Sequence, residues 1–374
     1  MAYTLIKAGF KQITVFESSD YIGGMSRSIY HRRTPHDMGA YNIHSGYDEL
    51  YKLINEFDAG VPIPGPEPNL WVDRKSGSRR KFIMSKYQYC SAVAEQLKPG
   101  INDSEVFTTI FAALTKYKTL HQQLFGIYKG SLMPRPSKKV LASLNMTTLE
   151  FLELHDIEIL KCVLGVGMTA QGYGHLDEVS AIYGLIWMHP TYMAQLVLNP
   201  ESSFNQILSK GYQFIWQEIV RQLNIDVRLS SPVTRIVREV KPRRRFDVTY
   251  SHCFGGKTET FDFLILSPTM NSLIKTVNFN KKENRLFEKT THGYLATSLV
   301  DTTYGKRRSS SPHKYHIDNI LSKVDNKVVM QRDTYSSMAQ HKGRNYTAGL
   351  YPGGLDGIKE HSTVYYQLGS KPCH

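Results

Sequence analysis

The period of apolar and polar positions changes several times along this chain, and each change predicts a different kind of element. Ile13 to Phe16 is a short run of apolar, largely β-branched residues that ends in the carboxylate of Glu17. Such a run predicts a buried parallel strand with an acid at its carboxyl end. Ahead of it, Ala2 to Ala8 reads as the end of a helix, with Gly9 as a left-handed stop. Residues 1 to about 60 therefore read as α/β, and 62–84 as a Pro/Gly-rich excursion with a hairpin around Ser76-Gly77-Ser78. A mostly helical block follows, in which Thr147-Thr148-Leu149-Glu150 has capping-box spacing and Phe151, Leu152 and Leu154 begin an apolar face. Gly211 to Trp216 opens an amphipathic helix, Asp226 to Ile236 reads as two strands around a turn, and Phe261 to Pro268 as a further strand. Beyond residue 301 the chain is polar and loses clear periodicity, with strands expected at Lys327–Met330 and Asn345–Tyr351.

Composition fits this picture of a large packed core: 374 residues, 41% of them hydrophobic and 21% charged. No run reaches the ~18 continuous apolar residues of a membrane-spanning helix. The amino terminus shows no basic segment followed by an apolar signal core, so a cytoplasmic location is the default expectation. Cys90, Cys162, Cys253 and Cys373 are widely spaced, which suggests reduced thiols and neither a zinc site nor a disulfide framework.

The net charge of +13 changes the picture little. Its basic clusters, His31-Arg32-Arg33, Arg79-Arg80-Lys81, Lys241-Pro242-Arg243-Arg244-Arg245 and Lys306-Arg307-Arg308, fall in expected turns and loops. No recognition helix, aromatic RNA-binding motif or zinc finger accompanies them, which argues against specific nucleic-acid binding. A basic surface would instead steer an anionic, lipid-like small molecule, or draw the protein to an acidic membrane face.

The candidate chemistry lies at Glu17. In a doubly wound sheet the carboxyl ends of the strands face the ligand crevice, where an acid accepts hydrogen bonds from the hydroxyls of an adenosine ribose. A glycine loop ordinarily precedes such an acid by ~20 positions. Here 16 residues precede Glu17, without a G-x-G-x-x-G. Taken alone, a strand followed by Glu is more often a surface carboxylate than a ribose ligand, and it is the order of helix, strand, Glu and Gly-Gly that points to the nucleotide. Gly165-Val166-Gly167 follows a helical pattern, and Gly353-Gly354-Leu355-Asp356-Gly357 lacks a strand and helix setting, so neither replaces the loop.

Val15 to Ser28, with Gly23-Gly24, and then Asp37-Met38-Gly39-Ala40 resemble the second strand and following loop of the FAD-containing amine oxidase-like flavoproteins. Gly172-Tyr173-Gly174-His175-Leu176-Asp177-Glu178-Val179 and Tyr30-His31-Arg32-Arg33 resemble the polyenoic fatty acid isomerase-like branch of that superfamily. The resemblance spans residues 1 to about 300. It implies an α/β fold with a Rossmann-like FAD-binding domain at 1–60 and 210–270, lacking its first strand and glycine loop. A mixed α+β substrate domain would occupy 61–209 and 271–374, so that both domains are incomplete and the chain reads as a piece of a longer flavoprotein.

By the same resemblance Glu17 would hold the adenosine ribose, and Gly23 and Gly24 would let backbone approach the pyrophosphate or ribityl chain. Gly39 and Ala40 would lie near the flavin ring, Val233 would meet adenine through its backbone, and Ser267 and Pro268 would close the nucleotide site. Met25 stands where the family places a basic residue, with Arg27 as the candidate replacement on the phosphate. His175 and Tyr173 are the candidates for substrate chemistry, with Met168 beside them as a pocket wall. A loop-holding histidine and ordinary core packing are the competing explanations. The implied function is that of an FAD-dependent oxidoreductase or double-bond isomerase acting on a fatty-acid-like or other small organic substrate, with FAD affinity reduced for want of the glycine loop. The alternative is a non-catalytic flavoprotein remnant with a scaffold or interaction role.

Overall fold

The computed structural model describes residues 1–31, 34–43, 46–64, 68–72, 82–84, 86–128, 133–170, 173–190, 193, 206–239, 245–252 and 255–290. It also describes five β segments at 295–301, 313–316, 330–333, 344–350 and 362–365. Helix α1 (Ala2–Lys7) ends as its sequence dictates, with Gly9 at φ +91°, and leads into strand β1 (Thr14–Phe16). An antiparallel pair, β2 (Ser28–His31) and β3 (Thr34–Asp37), precedes helix α2 (Asp48–Glu56).

In the 62–84 region are β4 (Pro62–Pro64), β5 (Pro68–Val72) and β6 (Phe82–Met84). The antiparallel pairing of β5 with β6 makes the expected hairpin, its Ser76–Ser78 turn lying outside the described residues.

The helical block comprises α3 (Lys86–Leu97), α4 (Asp103–Phe125), α5 (Lys138–Ser143), α6 (Thr148–Leu154), α7 (Lys161–Ala170) and α8 (Ala181–Trp187). Each of α4, α5 and α6 starts at a side chain that accepts from its first turn: Asn102, Ser137 and Thr147. At Thr147 the reciprocal bond from Glu150 completes the capping box that the sequence spacing predicts. These helices close on one apolar cluster in which Tyr117, Leu152, Leu160, Leu164 and Met168 are fully buried. Gly165 and Gly167 lie inside α7, so that glycine pair is helical and not a nucleotide loop.

After β7 (Gln206–Leu208), helix α9 (Gln213–Leu223) leads to β8 (Asp226–Arg228), which pairs in parallel with β1. A second cluster, with Ile43, Ile54, Leu208 and Ile215 at its centre and α1, β1 and β8 against it, packs this unit together. A meander of β9 (Val233–Glu239), β10 (Arg245–His252) and β11 (Gly255–Phe261) follows. Its inner face, Ile236 and Val248, gathers Phe16, Leu264 and Leu266 into a third cluster.

The final helix is α10 (Lys281–Phe287). The strands β12 (Leu295–Asp301), β13 (His313–His316), β14 (Met330–Asp333), β15 (Arg344–Leu350) and β16 (Ser362–Tyr365) then join β5 and β6 in one sheet, ordered β16-β12-β15-β14-β13-β5-β6. The polar carboxyl-terminal region is thus tied to the early hairpin. Of the strand expected at 327–330 only Met330, in β14, belongs to the described residues, and 327–329 lie outside them.

One expectation fails. Phe261 to Pro268 reads as a strand, yet the ladder ends at Phe261. Leu264 and Leu266 face the meander while Phe263 and Ile265 are 82% and 54% exposed. The alternation of a strand is present, but among the described residues no strand lies alongside to take its backbone bonds. Likewise β1 pairs with β8 along one edge, and among the described residues no strand borders the other. No helix of the described residues is long and apolar enough to cross a membrane.

Candidate functional site

Glu17 sits directly after β1, where the parallel pair ends. Its amide donates to the Arg228 carbonyl at 2.9 Å and its carbonyl accepts from Ser231 at 2.8 Å, while Ser230 donates to the Ser19 carbonyl at 2.7 Å. The two loops that leave the strand ends are therefore stitched together, and the start of β9 at Val233 is brought beside Glu17. The Glu17 carboxylate accepts from the Ser19 amide at 2.7 Å, which fixes its direction through an oxygen and a backbone donor two residues away.

Arg228 anchors this edge from below. Its guanidinium bonds the Glu259 carboxylate and the Tyr250 hydroxyl, and lies 5.4 Å from the Phe16 ring. Hydrogen bonding to Arg228 holds Glu259 down to about 2, so the link between β8 and the meander stays ionised across the physiological range.

A second group of predicted residues converges on the turn after β1. Gly23 (φ +122°) and Gly24 (φ +51°) take conformations that favour glycine. A Cβ on Gly24 would meet nothing within 4 Å, which leaves the turn's backbone open. The chain then runs beside Met38–Ala40, with Met38 donating to the Arg27 carbonyl and Ala40 to the Met25 carbonyl at 2.8 and 2.9 Å. Gly39 fits there because its α-carbon abuts backbone: a Cβ would stand 1.8 Å from the Met25 carbonyl oxygen. Arg27 stacks on Tyr21, its guanidinium 4.6 Å from the ring.

What locks this turn is a buried polar network that the sequence pattern does not reveal. Ser28 and Asp37 face each other across β2 and β3, and the Ser28 hydroxyl donates to the Asp37 carboxyl. That same carboxyl oxygen accepts from the Tyr212 amide at 2.9 Å, and the Ser28 hydroxyl accepts from the Gln213 amide at 3.2 Å. These amides belong to the first turn of α9, whose unpaired donors and positive dipole end favour an acid. The Gln213 side chain completes the clamp, accepting from the Ser28 amide at 2.8 Å and donating to the Ile22 carbonyl, one residue before the paired glycines. Asp37, Ser28 and Gln213 are 2%, 7% and 3% exposed. Gly211, at φ +82°, brings the helix in so closely that a Cβ would lie 2.8 Å from both Pro35 and Ser28.

The other predicted residues lie elsewhere. Ser267 and Pro268 are exposed and follow Leu266, which packs in the cluster of Phe16 and Val233. Met168 is wholly buried in the helical core, and Tyr173 packs against that core with its ring 6.1 Å from Trp187. His175 is buried, and its carbonyl takes the Glu178 and Val179 amides at 2.9 and 3.0 Å, closing a turn after Gly174 (φ +112°).

The helical core also contains His121 on α4, 2% exposed. Desolvation, with His189 nearby, pushes it down to about 4 from 6.5. The unfolded chain therefore binds a proton that the native state refuses between those values. Stability is fully present above the unperturbed value and falls as pH drops from 6.5 toward 4, by up to roughly 3 kcal/mol. Urea midpoints measured over that window should decline for the wild type and decline measurably less for His121→Phe.

A carboxylate at the end of a parallel strand, a paired-glycine turn following it in the chain and a backbone loop locked onto a helix start are the parts of a dinucleotide-cofactor fold. Residues 1–282 match the family described as flavin containing amine oxidoreductase, and the chain belongs to that family. A curated relative is the polyenoic fatty acid isomerase of Ptilota filicina, 20% identical over 244 residues, which are 63% of this chain and 48% of the relative. The chain thus spans about half the length of that relative. Among solved structures, the CLA-producing fatty acid isomerase from P. acnes is 20% identical with a TM-score of 0.70, covering 96% of this chain and 75% of that one. Putrescine oxidase bound to putrescine is 14% identical with a TM-score of 0.63, covering 94% and 72%. These structural likenesses establish the shared fold.

Proposed function

We propose that this chain holds FAD and serves as an FAD-dependent oxidoreductase or double-bond isomerase whose substrate is a fatty-acid-like molecule. The observation that carries the reading is the bonding of Glu17 to Ser231, just ahead of Val233, followed along the chain by the open Gly23–Gly24 turn whose exit at Met25 and Arg27 is bonded to Met38 and Ala40. The cradle fits a dinucleotide: Gly24 presents open backbone, and Glu17 is aimed by its own loop. In this reading Glu17 binds the adenosine ribose and Val233 meets adenine through its backbone. Gly23 and Gly24 admit the phosphates or ribityl chain, with Arg27 nearby, and Gly39 and Ala40 lie against the ring. Ser267 and Pro268 border the nucleotide.

A bound flavin would supply reversible hydride acceptance. The chain's own part is to hold the cofactor and to orient and desolvate the substrate. Residues 1–60 and 210–270 would form the cofactor-binding unit, and 61–209 with 271–374 the substrate unit. The fatty acid isomerase relatives favour an acyl substrate over an amine.

The test is anaerobic incubation of the FAD-supplemented protein with a polyunsaturated fatty acid. Conjugated-diene absorbance growing without loss of hydrogen supports the isomerase reading. Hydrogen peroxide formed from an amine under air, with no diene from the acid, would replace it with an oxidase. The exposed Phe263 and Ile265, and the edge of β1 that no strand borders among the described residues, favour a second reading, a non-catalytic flavoprotein remnant, for which neither product should form.

A further inference from the structure

Two of the four cysteines meet inside the helical block, at a place the cofactor cradle does not use. Cys90 lies on α3 and Cys162 near the start of α7, and these two helices pack against each other. On α3 the buried residues Tyr89, Val93 and Ala94 form a stripe that turns one side of the helix to the core, and Cys90 packs at the margin of that core. On α7 Cys162 is 3% exposed, and Leu164 and Met168 of the same helix are wholly buried. The two thiols share a hydrogen bond, and neither is in a disulfide. Both also act electrostatically on Tyr89, whose hydroxyl is buried with no hydrogen-bond partner among the described residues.

Thiols in hydrogen-bonding contact need no outside group to fit between them, since the removal of two hydrogens joins the sulfurs directly. Their surroundings give them different parts. The hydrogen bond with Cys90, and then burial, push the Cys162 thiol well up, so that it stays protonated. Cys90 is half-buried and is the sulfur that a small oxidant reaches first. The chain between them contains α4, α5 and α6, so a link would close a loop around most of the helical block and constrain the unfolded chain accordingly.

We infer that Cys90 and Cys162 form a reversible redox modification site, at which a hydroperoxide oxidises Cys90 and Cys162 resolves it to a disulfide that braces α3 against α7. In the first step the Cys90 thiolate attacks one oxygen of hydrogen peroxide. An S–O bond forms, the O–O bond breaks, and the departing oxygen takes up the thiol's proton and leaves as water. In the second step the Cys162 sulfur attacks the Cys90 sulfenic sulfur. The S–S bond forms, the S–O bond breaks, and the departing hydroxide takes the Cys162 proton as a second water. The two thiols give up two electrons and the peroxide accepts them. A dithiol reverses the link by exchange. The site requires neither flavin nor acyl substrate, so it stands apart from the function proposed above.

The test treats the purified full chain with a modest molar excess of hydrogen peroxide, quenches with catalase and alkylates the remaining thiols in urea. Tryptic mapping should find two of the four thiols lost, at Cys90 and Cys162, with their peptides joined and released again by dithiothreitol. The urea midpoint of the linked protein should rise by on the order of 1 M, the effect of a cross-link that closes a long loop. Cys162→Ala should leave Cys90 as a sulfenic acid that dimedone traps. Cys90→Ser should leave Cys162 reduced at the same dose. Circular dichroism establishes that each variant is folded before the comparison, and Cys90→Ser, at the half-buried position, decides alone where Cys162→Ala does not fold.

Absence of the Cys90–Cys162 link in the wild type overturns the site. So does oxidation of Cys162 in Cys90→Ser at the wild-type rate, or a link that forms as readily when the peroxide is added to the urea-unfolded chain. A linked protein whose midpoint does not rise overturns the brace.

Discussion

Replacing Gly39 with alanine should cost about 3 kcal/mol or more of stability and, on the proposed reading, abolish retention of FAD, the largest effect expected of any single methyl group in this loop. The added Cβ would lie 1.8 Å from the Met25 carbonyl oxygen and 2.8 Å from its carbon. Both are backbone atoms, so no rotamer change relieves the clash. The chains must part, and the Ala40 to Met25 bond at 2.9 Å is lost with the alignment it enforces. Gly24→Ala is the matched control. Its φ is +51° but its Cβ would meet nothing within 4 Å, so the cost is backbone strain alone, about 1 kcal/mol. Urea denaturation of the two variants should rank them in that order, and similar midpoints would show that the packing of Met25 against Gly39 does not hold the turn.

Asp37→Ala should be the next most damaging change. The Asp37 carboxyl accepts from the Ser28 hydroxyl and from the Tyr212 amide, and alanine leaves both donors buried without that acceptor, at roughly 3 kcal/mol together. Asp37→Asn keeps an oxygen in place for these two donors and gives up the charge at the start of α9, a loss of about 1 kcal/mol from that charge. Because Ser28 and Gln213 share the network, adding Ser28→Ala to Asp37→Ala should cost less than the sum of the two single effects. Additive losses measured by denaturation would mean that these residues act independently.

How much of this could be read from residue order follows from the range of each interaction. The strand ending at Glu17, the paired glycines and the capping box at Thr147 are local, set by neighbours a few positions away, and the structure shows each of these elements. The role of Gln213 is not local. Its side chain reaches Ser28 and Ile22 across 185 and 191 positions, so the sequence shows only a glutamine at the start of an amphipathic helix. The same holds for Asp37, legible as part of a loop motif but not as the cap of a distant helix. Cys90 and Cys162, widely spaced in the chain, are brought together only by the packing of α3 against α7. The run from Phe261 to Pro268 misleads for the opposite reason: its alternation is that of a strand, but a strand also needs a neighbour for its backbone groups.

The central claim is that Glu17 and the turn it leads into hold FAD. It is tested most directly by the visible absorption spectrum of the purified chain after incubation with excess FAD and desalting, beside Glu17→Ala treated identically. The account predicts a resolved flavin spectrum that travels with the wild-type protein and is much reduced in Glu17→Ala. A folded wild-type protein that emerges colourless, or a variant that keeps as much flavin as the wild type, would contradict it.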